Sequence, residues 1–343
     1  MTSARELRAE RAVSPTRRTY WCLEGSRKKP TDYEITSTAL LYYPSRGFEV
    51  DTPVWHHYVE YQRGSRLRAS RWDSFQDPAF TTYSSYVAER RDQEAFLDRL
   101  LDRPVNGVTP ELRPLLGLLS ALRFVLHGQQ MVAAYVGAMA PSGRISIAAA
   151  FQAADELRRI QRVCQWLSRS GVPVAELDAL GRELWQQAPA FQPLRQLVEQ
   201  LLVTYDFGLA LVSLNGVIKP IFDRLWFEQL SGVAERHHDE VLEKILGSLA
   251  DDGRWHEMWF IKLAQTLVED DPQNLRVMQE HVAVWRPRVT HAAHALLSQF
   301  QGLLGDAGEQ AFVWRELDSA LETHLRHVGL GQGQGEESLE ERP

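Results

Sequence analysis

The apolar positions of this chain fall into two regimes. From Pro114 onward they recur every three or four residues, and Leu115, Leu118, Leu119, Leu122, Val125 and Leu126 form a single stripe, as in a helix that buries one face. Pro141-Ser142-Gly143 predicts a turn, followed by a helix over 145–168 that Gly171 and Pro173 stop. A third helix, nearly all apolar on one side, is expected over 195–219, with Pro220 kinking or restarting it. Further helices are expected over 223–248, 255–269, 272–284, 287–304 and 309–328, and β-branched alternation is almost absent. Before residue 110 the pattern differs. Pro30, Pro44, Pro53 and Pro78, many tyrosines and little sustained periodicity predict an extended arm, helical only over 80–101.

The fold class expected is therefore all-α: a bundle of long antiparallel helices over 111–328, with an extended N-terminal arm over 19–110. Residues 1–18 form a flexible basic start, and the Gly-, Gln- and Glu-rich tail over 329–343 is expected to be disordered. Tyr42, Tyr43, Phe48, Val50, Trp55, Tyr58 and Tyr61 make the arm too apolar for a free tail. It needs a surface to lie on, either its own helical body or another chain. Lys29, Tyr33, Trp55, Trp72 and Phe75 are the arm residues assigned to a subunit interface.

Composition narrows the function. A net charge of −7 asks for neither nucleic acid nor an anionic membrane as partner. Cys22 and Cys164 lack metal-ligand spacing and suit a reducing cytoplasm, the expected location. The uncharged stretch 124–143 is dense in Ala, Gly and Gln, and reads as a buried helix and turn rather than a membrane span. The Gly-x-Gly-x-Gly run of the tail follows no strand, so it does not mark a nucleotide site. Gly-x-Ser-x-Gly is absent, and neither cysteine has a histidine placed to activate it.

One chemistry is nearly present. Carboxylate-bridged di-iron bundles take a lone Glu from each of two helices and Glu-x-x-His from each of the other two. Asp155-Glu156-Leu157-Arg158-Arg159 has this frame with Arg159 at the histidine position, and Asp251-Asp252-Gly253-Arg254-Trp255 repeats it with Trp255 there. A guanidinium has no lone pair to give, and an indole only donates a hydrogen bond. No Asp or Glu lies between Glu111 and Asp155, nor between Asp206 and Asp223, where the lone carboxylates belong. Glu156, Arg159, Asp252 and Trp255 are thus read as degenerate ligand positions, with no catalytic residue and no cofactor in this chain. Glu156 is expected to pair with Arg159 or Arg158 inside the bundle, the alternative being a solvated i,i+3 pair. Phe151, Trp166, Phe207, Trp255 and Trp259 are the expected fillers of the centre. One intact Glu-x-x-His, Glu235 to His238, sits in a polar helix and is read as exposed; His291 with His294, and His324 with His327, are read as surface or interface pairs.

The chain resembles the β subunits of bacterial multicomponent toluene, phenol and alkene monooxygenases. The resemblance rests on Arg27-Lys28-Lys29-Pro30-Thr31-Asp32-Tyr33-Glu34 and Trp72-Asp73-Ser74-Phe75-Gln76-Asp77-Pro78 in the arm. In the body it rests on Ala134-Tyr135-Val136, Arg182-Glu183-Leu184-Trp185, Val212-Ser213-Leu214-Asn215, Lys219-Pro220 and Trp285-Arg286-Pro287. It implies a ferritin-like (ribonucleotide-reductase-like) fold and a dimer of αβγ protomers whose α subunit holds the di-iron site. A small effector protein, a Rieske-type ferredoxin and an NADH reductase would complete the system. Two other readings remain open on the residues alone: a free-standing helical scaffold or regulatory binding protein, and a di-iron oxidase using other ligands.

Overall fold

The computed structural model describes Tyr33, residues 65–103 and residues 107–330, and these contain helices and turns but no strand. The longer helices are α1 (Tyr83–Leu101), α2 (Arg113–Met139), α3 (Gly143–Ser168), α4 (Val174–Gln187) and α5 (Gln192–Leu202), then α6 over 207–236, α7 (Glu240–Asp270), α8 (Gln273–Leu297) and α9 (Ala307–Val328). Short polar residues start five of them. The Thr82 and Asp306 side chains close capping boxes on α1 and α9, while Ser142, Asp206 and Asp239 cap α3, α6 and α7. The three-residue link 140–142 folds α3 back along α2, which is buried on nearly every side. Gly181 lets α4 cross α2 closely, because a Cβ there would stand 2.8 Å from the Ser120 backbone.

Several expected boundaries move, each for a local reason. α4 was not anticipated. The apolar run expected over 195–219 breaks at 203–206, where Asp206 caps a new helix and also accepts from the Ser65 hydroxyl and the Arg66 N–H. Pro220 does not end α6. The helix widens into a π segment, Val212–Ile218, in which the Lys219 N–H donates to the Leu214 carbonyl, so the proline ring meets no tightly wound turn. A second π segment, Arg224–Gln229, follows the short stretch Lys219–Asp223. The break then falls at His237 and His238, the latter with φ 59, and not between 248 and 255. α8 runs through Pro287, whose exposed position lets water meet the carbonyl the proline leaves free.

The segment before α1 also belongs partly to the body. Leu67 and Phe75 are core residues, and Phe75 is fully buried edge-on against Trp259. Trp72 packs on Phe207, and the Tyr33 hydroxyl accepts from the Asp77 N–H. Of the five arm residues assigned to a subunit interface, Phe75 and Tyr33 are thus spent on this chain's own packing and Trp72 largely so. Lys29 and Trp55 lie outside the described residues, as do the 1–18 start and 331–343 of the tail. Nor does position 110 divide arm from bundle, since α1 packs on α3 and α7.

Candidate functional site

Four helices present polar residues to one buried centre, each at helical spacing. α3 gives Gln152, Asp155, Glu156 and Arg159; α6 gives Asn215, Lys219 and Asp223; α7 gives Asp252, His256 and Trp259; α1 adds Tyr86 and Arg90. Charges in such a place must be paired. Arg159, fully buried, lies between two carboxylates, 3.1 Å from both Glu156 Oε2 and Asp223 Oδ2, and donates to the Leu249 carbonyl at 2.9 Å. Its guanidinium also sits 4.6 Å from the Phe227 ring centre. Lys219 Nζ reaches the same two acids, 2.6 Å from Glu156 and 2.8 Å from Asp223. Beside this quartet, Arg90 bridges Asp155 at 3.0 Å and Asp252 at 2.8 Å, and Arg158 meets Asp252 at 2.6 Å.

Four cations therefore face four carboxylates, and the centre is electrically closed. Burial opposes the charge on Arg159, but Asp223, Glu156 and Asp252 outweigh it and hold the guanidinium above its ordinary range. Burial likewise works against Asp223, yet Arg159 and Lys219 bring it down to about 2. Asp252 goes the other way: burial and the neighbouring Asp155 raise it to about 6 against the pull of its arginines. His256 is driven well below its ordinary value by burial, Lys219 and Arg159, so it is neutral. A carboxylate only accepts, so His256 donates from Nε2 to Asp155 at 3.2 Å, leaving Nδ1 without a hydrogen-bond partner. Amides complete the centre: Gln152 and Asn215 exchange two 2.8 Å hydrogen bonds, and Trp259 donates to Gln152.

These residues do not fit a di-iron centre. The oxygens of Glu156 that would bridge metals receive Lys219 and Arg159, and those of Asp252 receive Arg158 and Arg90. Among the described residues no group of three or more His, Cys, Asp or Glu side chains is arranged to hold a metal. Of the four degenerate positions, Glu156, Arg159 and Asp252 are all at the centre, and Glu156 pairs with Arg159 while Arg158 takes Asp252. Trp255 is not at the centre. It is only half-buried, its ring edge-on to His256, and the inward position belongs to His256, four residues after Asp252 rather than three. The α6 carboxylate also exists: it is Asp223, the residue that ended the stretch counted as free of acids. Asp252, His256 and Trp259 share a stripe that could have revealed the histidine. Arg90 and Tyr86, which come from the segment read as an arm, left no such signal. Phe151 is not a filler but stacks on Tyr86 at 4.3 Å, and Glu235 and His238 are exposed. His291 and His294 are exposed, as expected of a surface pair, with the His294 ring tilted against Trp314, whereas His324 is buried and so is no surface residue.

The profile of the family described as Methane/Phenol/Alkene Hydroxylase matches residues 47–271. The hydroxylase component subunit beta of the toluene-4-monooxygenase system of Ectopseudomonas mendocina is 33% identical over 301 residues, 82% of this chain and 90% of that protein. The hydroxylase component small subunit of propane 2-monooxygenase from Mycolicibacterium goodii is 28% identical over 162 residues, 46% of this chain and 44% of that one. A solved structure of toluene 4-monooxygenase with toluene bound superposes with a TM-score of 0.71 at 31% identity, covering 82% of this chain and 97% of that one. Phenol hydroxylase from Pseudomonas sp. OX1 shares the fold, with a TM-score of 0.74 at 20% identity over 94% of this chain and 98% of its own. The chain belongs to the methane/phenol/alkene hydroxylase family, and within it is homologous to hydroxylase β and small subunits.

Proposed function

We propose that this chain is the non-catalytic β subunit of the hydroxylase in a multicomponent monooxygenase that oxidises aromatic or alkene hydrocarbons. The observation that carries the reading is the occupied centre: Arg159 and Lys219 hold the carboxylates that iron would need. Such a chain cannot activate dioxygen by the di-iron route, so iron and hydrocarbon belong to a partner α subunit. The β subunit supplies a rigid helical body on which α packs, and with γ the assembly is a dimer of αβγ. A small effector protein, a Rieske-type ferredoxin and an NADH reductase serve it, and neither nucleic acid nor a membrane is a partner. No helix among the described residues is long and apolar enough to cross a membrane. Affinity purification of this chain from cells co-expressing its chromosomal neighbours tests the reading. It should bring down a larger chain with two intact Glu-x-x-His frames, and NADH-dependent hydroxylation should be lost when this chain is omitted. Full activity of that partner alone would refute it.

A further inference from the structure

α1 closes one side of the charged centre, yet little of its hold on the body is apolar. Its buried residues are Leu97 and Leu100, both near its C-terminal end. Over 83–96 the ties to the body are polar, apart from the stack of Tyr86 on the half-buried Phe151. The Tyr86 hydroxyl donates to Asp155 at 2.7 Å, Arg90 spans Asp155 and Asp252, and Glu94 accepts from both Arg158 and Arg162. One turn on, Asp98 meets Arg162 at 2.6 Å. The Asp98 side chain is 59% exposed and that of Glu94 28%, so dissolved salt screens these two rungs, whereas Asp155 and Asp252 are sealed. The body does not need α1 to keep its own charges paired. Arg158 retains Asp252 at 2.6 Å and the Ser248 hydroxyl at 2.7 Å, Asp155 retains His256, and Arg162 retains Gln165. Glu156, Arg159, Lys219 and Asp223 pair among themselves without α1. The link before α1 has slack to give. Pro78, Ala79 and Phe80 are exposed, and Phe80 holds φ 50, a left-handed backbone that a phenylalanine keeps only under constraint. That constraint is the Asp77 carboxylate, which accepts from the Ala79 and Thr81 N–H groups.

We propose that α1 is an ion-latched strap over the charged centre. The stretch 83–96 lifts from α3 and α7 as a unit, pivoting on Leu97 and Leu100, while the rest of the bundle stays folded. Closed, Arg90 seals Asp155 and Asp252 from solvent. Open, water reaches those two carboxylates, and Arg158 and Arg162 turn to solvent as cations released from Glu94. Glu94 is the latch, because a single carboxylate there serves two arginines of the body. Segments that open ahead of global unfolding are those with few buried apolar contacts, and α1 fits that description. The strap stands on this chain's own contacts and holds whether or not the function proposed above does.

Amide hydrogen exchange read by mass spectrometry on the purified complex tests the proposal, at fixed pH and temperature in about 0.05 M and about 1 M sodium chloride. Amides over 86–96 should exchange at least about tenfold faster at the higher salt, while those of α3 and α7 stay as they were. Glu94→Gln keeps the size of the side chain and removes its charge, and should produce the same gain at low salt. Glu89→Gln, whose carboxylate touches only Gln93 of the same helix, should produce none. Exchange over 86–96 that neither salt nor Glu94→Gln accelerates would overturn the proposal. So would a gain shared equally by α1, α3 and α7, which would mark α1 as part of one cooperative body, or an equal gain in Glu89→Gln.

Discussion

At the scale of residues, the centre is held by complementary charges that each need the other. Truncating Arg159 would leave Asp223 and Glu156 sharing only Lys219, and loss of one partner from a buried ion pair costs about 3–5 kcal/mol. Arg159→Ala is expected to lower stability by about that amount, measured by denaturant unfolding; a change below 1 kcal/mol would show that the cluster contributes little. Gly253 is bound to the same cluster, because a Cβ there would stand 2.7 Å from Asp223 Oδ2. An alanine in mid-helix ordinarily gains up to about 1 kcal/mol, so a Gly253→Ala variant less stable than the parent would locate the cost in the displaced carboxylate. The pH dependence follows from the buried histidines. His281 and His324 titrate at about 4 in the fold, both mainly through burial, and His256 is also lowered, whereas an unfolded histidine titrates near 6.5. Below that pH the unfolded chain takes up protons the fold refuses, so stability falls as pH falls from about 6.5 toward 4. Asp252, raised to about 6, opposes this with one group against three. Thermal melts should therefore show a lower Tm at pH 5 than at pH 7, with a shallower slope in His281→Asn. A Tm that is flat or higher at pH 5 would contradict the assignment of neutral buried histidines.

Among the elements, α3 and α9 were legible because each turns a regularly spaced apolar face inward, and α2 because its leucines recur at helical spacing, although it is buried on nearly every side. α6 was not, and the reason is physical. Its two π segments shift the register of inward-facing residues, and a proline inside them reads in the sequence as a stop although the widened turn accommodates it. The same holds for Pro287, which costs α8 little on its exposed side. The segment before α1 was misread because its packing is tertiary. Leu67 and Phe75 have no periodic neighbours, yet Phe75 inserts fully against Trp259. Removal of a buried phenylalanine costs about 3–5 kcal/mol. Phe75→Ala should therefore destabilise the body itself, and deletion of residues 65–80 should reduce cooperative unfolding as well as assembly. Circular dichroism melts that matched the parent would show that this segment is no part of the core.

On the scale of the whole molecule, one fold serves two ends. The frame that places four helices around a centre needs something there, and either metal ions or protein charges can satisfy it. In this chain the frame at Asp155-Glu156 was readable as a site lost. How it was refilled was not, since Arg90 comes from α1, Lys219 and Asp223 from α6 and His256 from α7, and these meet only in the folded bundle. Restoring histidines by sequence frame alone should fail for the same reason: an Arg159→His, Trp255→His double variant keeps Lys219 on Glu156 and puts its second histidine beside the centre rather than in it. The most direct measurement is iron-edge anomalous diffraction from crystals of the purified complex. The account predicts no iron peak between the helices bearing Glu156 and Asp252, where Arg159 and Lys219 stand, and iron only in a partner chain. An iron peak between those two carboxylates would contradict it.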